Sequence, residues 1–363
     1  MSTTEHKHDN THDNIFQELA SIFSIRHKHS QILKIEILTP GLGPLLRDGC
    51  SVGITKKALV QAFVIARQIF LDKDVKQHGY GEENVLRSTE ILILFAPEHV
   101  TACNWRKRRL IWILQSANTN DSDRNTATDR QDVLNILDRE LTLTTTYLCS
   151  PLHRHTKSPT LWQHRFWVLG HILSIRDWTS ALQELQKGDP GKVRSLLHSE
   201  LSVVLCAGEQ HPRNYYAFSY MRQLYSLLCL RGEIKDEDDG GISAALLDKT
   251  VSWCQANPRD ISGWMFALYL LENVPEPDCR SVQVRIVNTV VRFALDIGWV
   301  GESLWTFVDM AVRRFGVNGV QDVLQVSEDD NSDVDAGLPV RSWKTWLGRA
   351  EKYWAVGVSD IKE

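Results

Sequence analysis

The chain has no long apolar run, no basic excess and no paired-cysteine motif. Forty-five acidic residues against 41 basic ones leave a formal net charge of -4 over 363 residues. A nucleic-acid binder normally shows the opposite balance, so that class is set aside. The single basic cluster, Arg106–Arg109 (RKRR with Lys107), reads as a solvated helix face. No stretch approaches the roughly 18 apolar residues of a membrane span. Seven cysteines, an odd number without a CxxC, exclude an evident zinc knuckle and a disulfide framework. Cys103, Cys206 and Cys229 fall in apolar helical contexts and are expected as buried reduced thiols. The opening MSTTEHKHDNTHDN has no apolar signal core, which points to a cytoplasmic protein with a disordered polar tail over residues 1–14. His6, His8 and His12 in that tail are not expected to form a metal site.

What is abundant is tryptophan, twelve in all, several standing where helical patterns begin. Ile15, Phe16, Leu19, Ile22 and Phe23 recur at helical spacing. The segment Ile32–Leu38 alternates apolar and charged residues, the one place that suggests a strand, and TPGLGP (Thr39–Pro44) breaks structure. A helix is expected over Ile54–Leu71, burying Leu59, Phe63, Ile65 and Ile69. Beyond it helices dominate. Polar stretches at Ser116–Asp129, Glu233–Gly241 and Val326–Gly337 read as loops. A last amphipathic helix, over 341–355, places Trp343, Trp346, Ala350 and Trp354 on one side.

Within Lys157–Leu173, Trp162, Phe166, Leu169 and Leu173 share one helical face, and Arg165 lies at its edge, where a charge needs a partner. The arrangement recurs. Cys103, Arg106 and Leu110 repeat it; so do Phe218, with Arg222 four residues on, Trp264 with Ala267 and Leu271, and Trp305 with Val308 and Val312. The five leading positions are separated by 59, 56, 46 and 41 residues. A second amphipathic segment precedes each copy, and prolines stand between the two. Helix pairs recurring at such intervals imply an all-α fold, a right-handed α-α superhelix of stacked antiparallel hairpins. A tetratricopeptide array is disfavoured, because its 34-residue period is absent. Residues 15–363 are expected to form one helical-repeat domain, with repeats over about 84–316. The arginine should bond carbonyls or a carboxylate of the following repeat.

The motif Trp-x-x-Arg-x-x-x-Leu, preceded by proline and an Asn-Tyr pair, resembles that of protein prenyltransferase α subunits. PRNYYAF (Pro212–Phe218) resembles the family's P-K-N-Y-H-A-W, PRDISGW (Pro258–Trp264) its P-x-N-E-S-A-W, and GESLW (Gly301–Trp305) the same more loosely. The resemblance covers about two-thirds of the chain. It is nearest the divergent branch known as prenyltransferase α-subunit repeat-containing proteins, given Cys103 and Phe218 in the tryptophan slot, the displaced Arg222 and the Trp-rich last helix.

That resemblance implies a crescent of hairpins around a separate β subunit, which carries the catalytic zinc and most of the isoprenoid pocket. No cofactor is then expected on this chain. His153 and His155 in PLHRH lack a third ligand nearby and are set aside as a zinc site. The implied partners are the β subunit, an isoprenoid diphosphate and a protein with a cysteine near its C-terminus, accepting geranylgeranyl or farnesyl. The family's diphosphate-contacting lysine, five residues before the second-repeat tryptophan, is matched by Lys157; its tyrosine two residues later is replaced by Pro159. Asn214 and Tyr215 match the next repeat's Asn-Tyr, with Tyr216 in the histidine position. Lys157 and Tyr215 are therefore the expected catalytic residues, with Asn214 as a further diphosphate contact, and Asn214 also reads as a helix N-cap. Trp162, Arg165, Phe218 and Trp264 are expected to pack the repeats, and Arg106 and Arg222 to be structural. A non-catalytic helical scaffold that binds a partner protein is the alternative.

Overall fold

Helices account for most of the computed structural model, which describes residues 14–25, 31–72, 81–119, 127–175, 190–231, 234, 240–275 and 279–316. The described residues form thirteen helices and one three-stranded sheet, an all-α helical repeat. The chain divides into two compact units, Met1–Gly188 and Asp189–Glu363. The C-terminal helix expected over 341–355 and most of the polar tail lie outside the described residues.

In the first unit, helix α1 (14–25) buries Phe16, Leu19 and Phe23. Strands β1 (Lys34–Leu38), β2 (Leu45–Asp48) and β3 (Ser51–Thr55) follow, then helices α2 (Lys56–Leu71), α3 (Glu82–Phe95), α4 (Val100–Thr119), α5 (Ala127–Cys149), the one-turn α6 (His153–Thr156) and α7 (Pro159–Ile175). The sheet order is β1-β3-β2, with β1 parallel and β2 antiparallel to β3. The outer edge of β1 is closed by α5, where Thr146 Oγ1 and Ser150 Oγ accept the Leu33 and Ile35 N–H groups at 3.2 and 2.9 Å. Side-chain hydroxyls thereby satisfy backbone groups that a lone edge would leave open.

The helix expected from Ile54 begins instead at Lys56. Ile54 pairs with Ile37 in the sheet, and Thr55 ends the strand by accepting the Ala58 N–H at 3.4 Å, as an N-cap does. Leu59 and Ile69 are buried, whereas Phe63 and Ile65 are only half-buried; Phe63 stacks on Phe95 of α3 at 4.1 Å between centroids. Helices α3 and α4 form one pair and α5 and α7 the next, joined by a core of Leu110, Val133, Leu137, Val168 and Ile172.

The second unit holds α8 (Pro190–Gln210), α9 (Tyr215–Leu230), α10 (Gly240–Ala256), α11 (Ile261–Glu272), α12 (Cys279–Asp296) and α13 (Glu302–Phe315). Each odd-numbered helix packs on the even one before it. In addition α8, α10 and α12 touch in series, as do α9, α11 and α13, giving a two-layered stack of pairs. Cys103 is buried as expected, but Cys206 is half-buried and Cys229 exposed. The helical face that carries Cys229 looks outward at the end of α9.

Candidate functional site

The leading residues Cys103, Trp162, Phe218, Trp264 and Trp305 lie at one structural position in α4, α7, α9, α11 and α13, and all five are buried. Four residues earlier stands the helix cap. His99 Nδ1 accepts the Ala102 N–H at 3.1 Å, Ser158 Oγ that of Leu161 at 3.1 Å, and Asn214 Oδ1 that of Ala217 at 3.2 Å. Asp260 Oδ1 accepts from Ser262 and Gly263 at 2.9 and 3.2 Å. Gly301 heads α13 without a side-chain cap. The three tryptophans each donate the indole N–H to the carbonyl six residues back: Trp162 to Thr156 at 3.0 Å, Trp264 to Pro258 at 3.1 Å and Trp305 to Trp299 at 2.9 Å. One side chain thus fills the core and also holds the incoming loop.

Neighbouring loops are tied together. In the first unit Ser158 Oγ donates to the Pro97 carbonyl at 3.3 Å. In the second, the Arg213 N–H donates to Asp260 Oδ2 at 2.7 Å and Ser303 Oγ to the Arg259 carbonyl at 3.1 Å. Beneath these loops the rings interlock, Phe218 with Phe266 at 5.5 Å and Trp264 with Phe307 at 5.1 Å.

The arginines are satisfied inside the fold, by different partners. Buried Arg106 forms a two-pronged bond to Glu140 of the following pair, both contacts 2.6 Å, and a bond to Thr89 Oγ1 at 2.8 Å. Burial opposes the Glu140 charge, yet the Arg106 guanidinium and the His164 hydrogen bond hold its carboxyl well below the usual range. Arg165 is buried as well. It donates to the Leu141 carbonyl and to the Thr144 and Thr145 hydroxyls at 3.0, 2.9 and 2.8 Å, all on α5 of its own pair. Arg222 is half-buried over the Tyr269 ring at 5.7 Å.

Of the residues expected to meet a diphosphate, Asn214 is fully buried and its amide oxygen is used by the α9 cap. Tyr215, the first residue of α9, is 55% exposed. Lys157 closes α6 in the first unit, half-buried, with its ammonium in no ion pair among the described residues. Pro159 is the first residue of α7, a position where its missing N–H costs nothing.

The structure adds two residues that the sequence reading passed over. Lys157 stands five residues before its leading tryptophan, and Arg213 and Arg259 hold the same place before Phe218 and Trp264. Both are exposed and in no ion pair among the described residues, and Arg259 lies over the Trp299 ring at 5.9 Å. Within the second unit Arg213 and Arg259 stand next to the N-termini of α9 and α11, whose positive ends suit an anion. The signal was the Pro-Arg pair that opens both PRNYYAF and PRDISGW. Among the described residues no group of three His, Cys, Asp or Glu side chains could hold a metal ion, and no helix is long and apolar enough to cross a membrane.

Residues 167–289 match the family model described as the ECM9 middle domain. That span includes the third and fourth leading residues together with Arg213 and Arg259, and it starts ten residues after Lys157. No curated protein matches the chain.

Proposed function

We propose that this chain is the α-type, zinc-free subunit of a heterodimeric protein prenyltransferase, assisting transfer of geranylgeranyl or farnesyl from its diphosphate to a cysteine near the C-terminus of a protein. The observation that carries the reading is the repeated register itself. The same place before the leading residue holds Lys157, Arg213 and Arg259, and Tyr215 is exposed two positions after Arg213. In the reaction a thiolate sulfur forms a bond to the isoprenoid C1 while the C1–O bond breaks, and the electron pair leaves with diphosphate. The Lys157 ammonium and the Tyr215 hydroxyl would donate hydrogen bonds to the departing oxygens as their charge grows. Zinc, which activates the thiol, belongs to the β subunit in this reading.

A second reading, a non-catalytic helical scaffold for a partner protein, is favoured by Asn214 and Pro159. The first is enclosed as a cap and the second replaces a phenol with a helix-starting ring.

Co-expression with prenyltransferase β subunits tests the proposal. One of them should copurify, and Lys157→Ala should leave that heterodimer intact while slowing single-turnover transfer about ten- to a thousandfold. Tyr215→Phe should show a smaller loss. A heterodimer that transfers isoprenoid equally well without Lys157 removes the site assignment. If no β subunit binds, the scaffold reading stands.

A further inference from the structure

Helix α2 has two apolar faces. One, Ala58, Leu59, Ala62, Ala66 and Ile69, is buried. The other runs Val60, Val64, Leu71 at helical spacing with Arg67 between, and these three are 47%, 44% and 56% exposed. A surface helix normally turns polar residues outward, so a second apolar stripe calls for a cover. A depression of about 1070 Å³, lined by Ile15, Ile37, Leu38, Pro44, Lys57 and Gln61 among others, opens at the N-terminal end of α2. Another of about 690 Å³, lined by Val64, Arg67, Gln68 and Leu71 among others, opens at its C-terminal end.

Positive charge predominates on this surface. The sixteen residues of α2 contain Lys56, Lys57 and Arg67 and no acid, in a chain whose net charge is -4. All three cations are exposed and in no ion pair among the described residues. Asp72 is the one acid in either lining.

We propose that this face docks an acidic amphipathic helix of a partner protein, its apolar ridge along Val60, Val64 and Leu71 and its carboxylates toward Lys56, Lys57 and Arg67. Helices pack on helices about 8–10 Å apart, and the straight stripe of α2 offers such a seat. A second copy would bring the same three cations against them. The neighbouring stretches RHKHS (26–30) and KDVKQHGY (73–80) are themselves net positive, and residues 1–13 hold one apolar residue, Met1. A bilayer is flat, whereas Val64 and Leu71 of this stripe line one hollow and a second opens at the other end of the helix. The inference does not rest on the prenyltransferase reading.

The test is fluorescence anisotropy of the full chain with a labelled 18-residue helical peptide, leucines at i, i+3, i+4, i+7 and i+11 and glutamates elsewhere. It should bind at micromolar concentration and weaken as salt rises. Val64→Glu, at an exposed position, should reduce affinity at least about tenfold with an unchanged circular dichroism melt, and paired Lys56→Glu, Lys57→Glu about five- to tenfold. A matching peptide with lysine in place of glutamate should bind at least about tenfold more weakly. Equal binding to wild type and Val64→Glu, or no binding, overturns the proposal. So does binding of phosphatidylserine vesicles, lost in Val64→Glu, in place of the peptide.

Discussion

Asp260 holds two neighbouring helices with one carboxylate: Oδ1 caps α11, and Oδ2 accepts the Arg213 N–H at 2.7 Å ahead of α9. The group is buried, so an unmet N–H left by its removal would find little water. Asp260→Ala should therefore cost about 2–4 kcal/mol, a lost cap plus a lost tie between repeats. Asp260→Asn keeps an acceptor for the cap but offers the Arg213 N–H a donor, and should cost about half as much. Urea unfolding of the two variants measures the difference; equal losses would mean that the tie to Arg213 alone matters, since asparagine keeps the cap.

Gly263 lies where a side chain has no room. A Cβ there would fall 2.7 Å from the Trp253 ring and 3.0 Å from Cys254 Sγ. Gly170, in α7, has nothing within 4 Å of the same atom. Helix propensity favours alanine at both by about 0.5–1 kcal/mol, so the sign of each substitution reports on packing. Gly263→Ala should destabilise by about 1–3 kcal/mol and Gly170→Ala should raise stability by up to about 1. Thermal melts that move in the same direction would contradict this account.

The helical pairs are legible in the sequence because Pro97, Pro212 and Pro258 each stand six residues before a leading core residue, Cys103, Phe218 or Trp264, and local spacing alone reveals that. Asn214 as a cap is legible for the same reason. The partners of the arginines are not. Glu140 is 34 residues from Arg106, and nothing local distinguishes it from the other acids of α5. Strands β2 and β3 are likewise hidden, four and five residues long, with the β3 pattern running on into α2. Arg213 and Arg259 escaped notice because a Pro-Arg pair has no periodicity, and only the shared position in the loops joins them to Lys157.

Acid sensitivity should arise in part at His155. It is buried, its Nε2–H donates to the Ile93 carbonyl at 3.0 Å, and burial pushes its pKa down to about 4 from 6.5. Above pH 6.5 the ring is neutral in both states. Between pH 6.5 and about 4 the unfolded chain takes up a proton that the folded chain refuses, so stability falls as pH falls through that window. The full loss is about 3 kcal/mol. His155→Gln preserves a donor to Ile93 without titrating, and its stability relative to wild type should improve by that order between pH 7 and pH 4. Parallel pH profiles for the two proteins would sink the assignment.

Strain and chemistry are separable at Arg213. Its φ of 59° lies in the left-handed region, which costs an L-residue about 1–2 kcal/mol and glycine almost nothing. Arg213→Gly retains the N–H that donates to Asp260 and deletes the exposed side chain with its guanidinium. Stability should hold or rise by up to about 1 kcal/mol, since relief in the folded chain is partly offset by the freedom glycine gains when unfolded. If the cation meets the leaving diphosphate as Lys157 is proposed to do, transfer by the copurified heterodimer should nevertheless slow about tenfold or more. Arg213→Lys should recover part of the rate, because a cation returns, and none of the stability, because the strain returns with it. A glycine variant that melts higher and transfers isoprenoid at the wild-type rate would make Arg213 a residue of the loop alone.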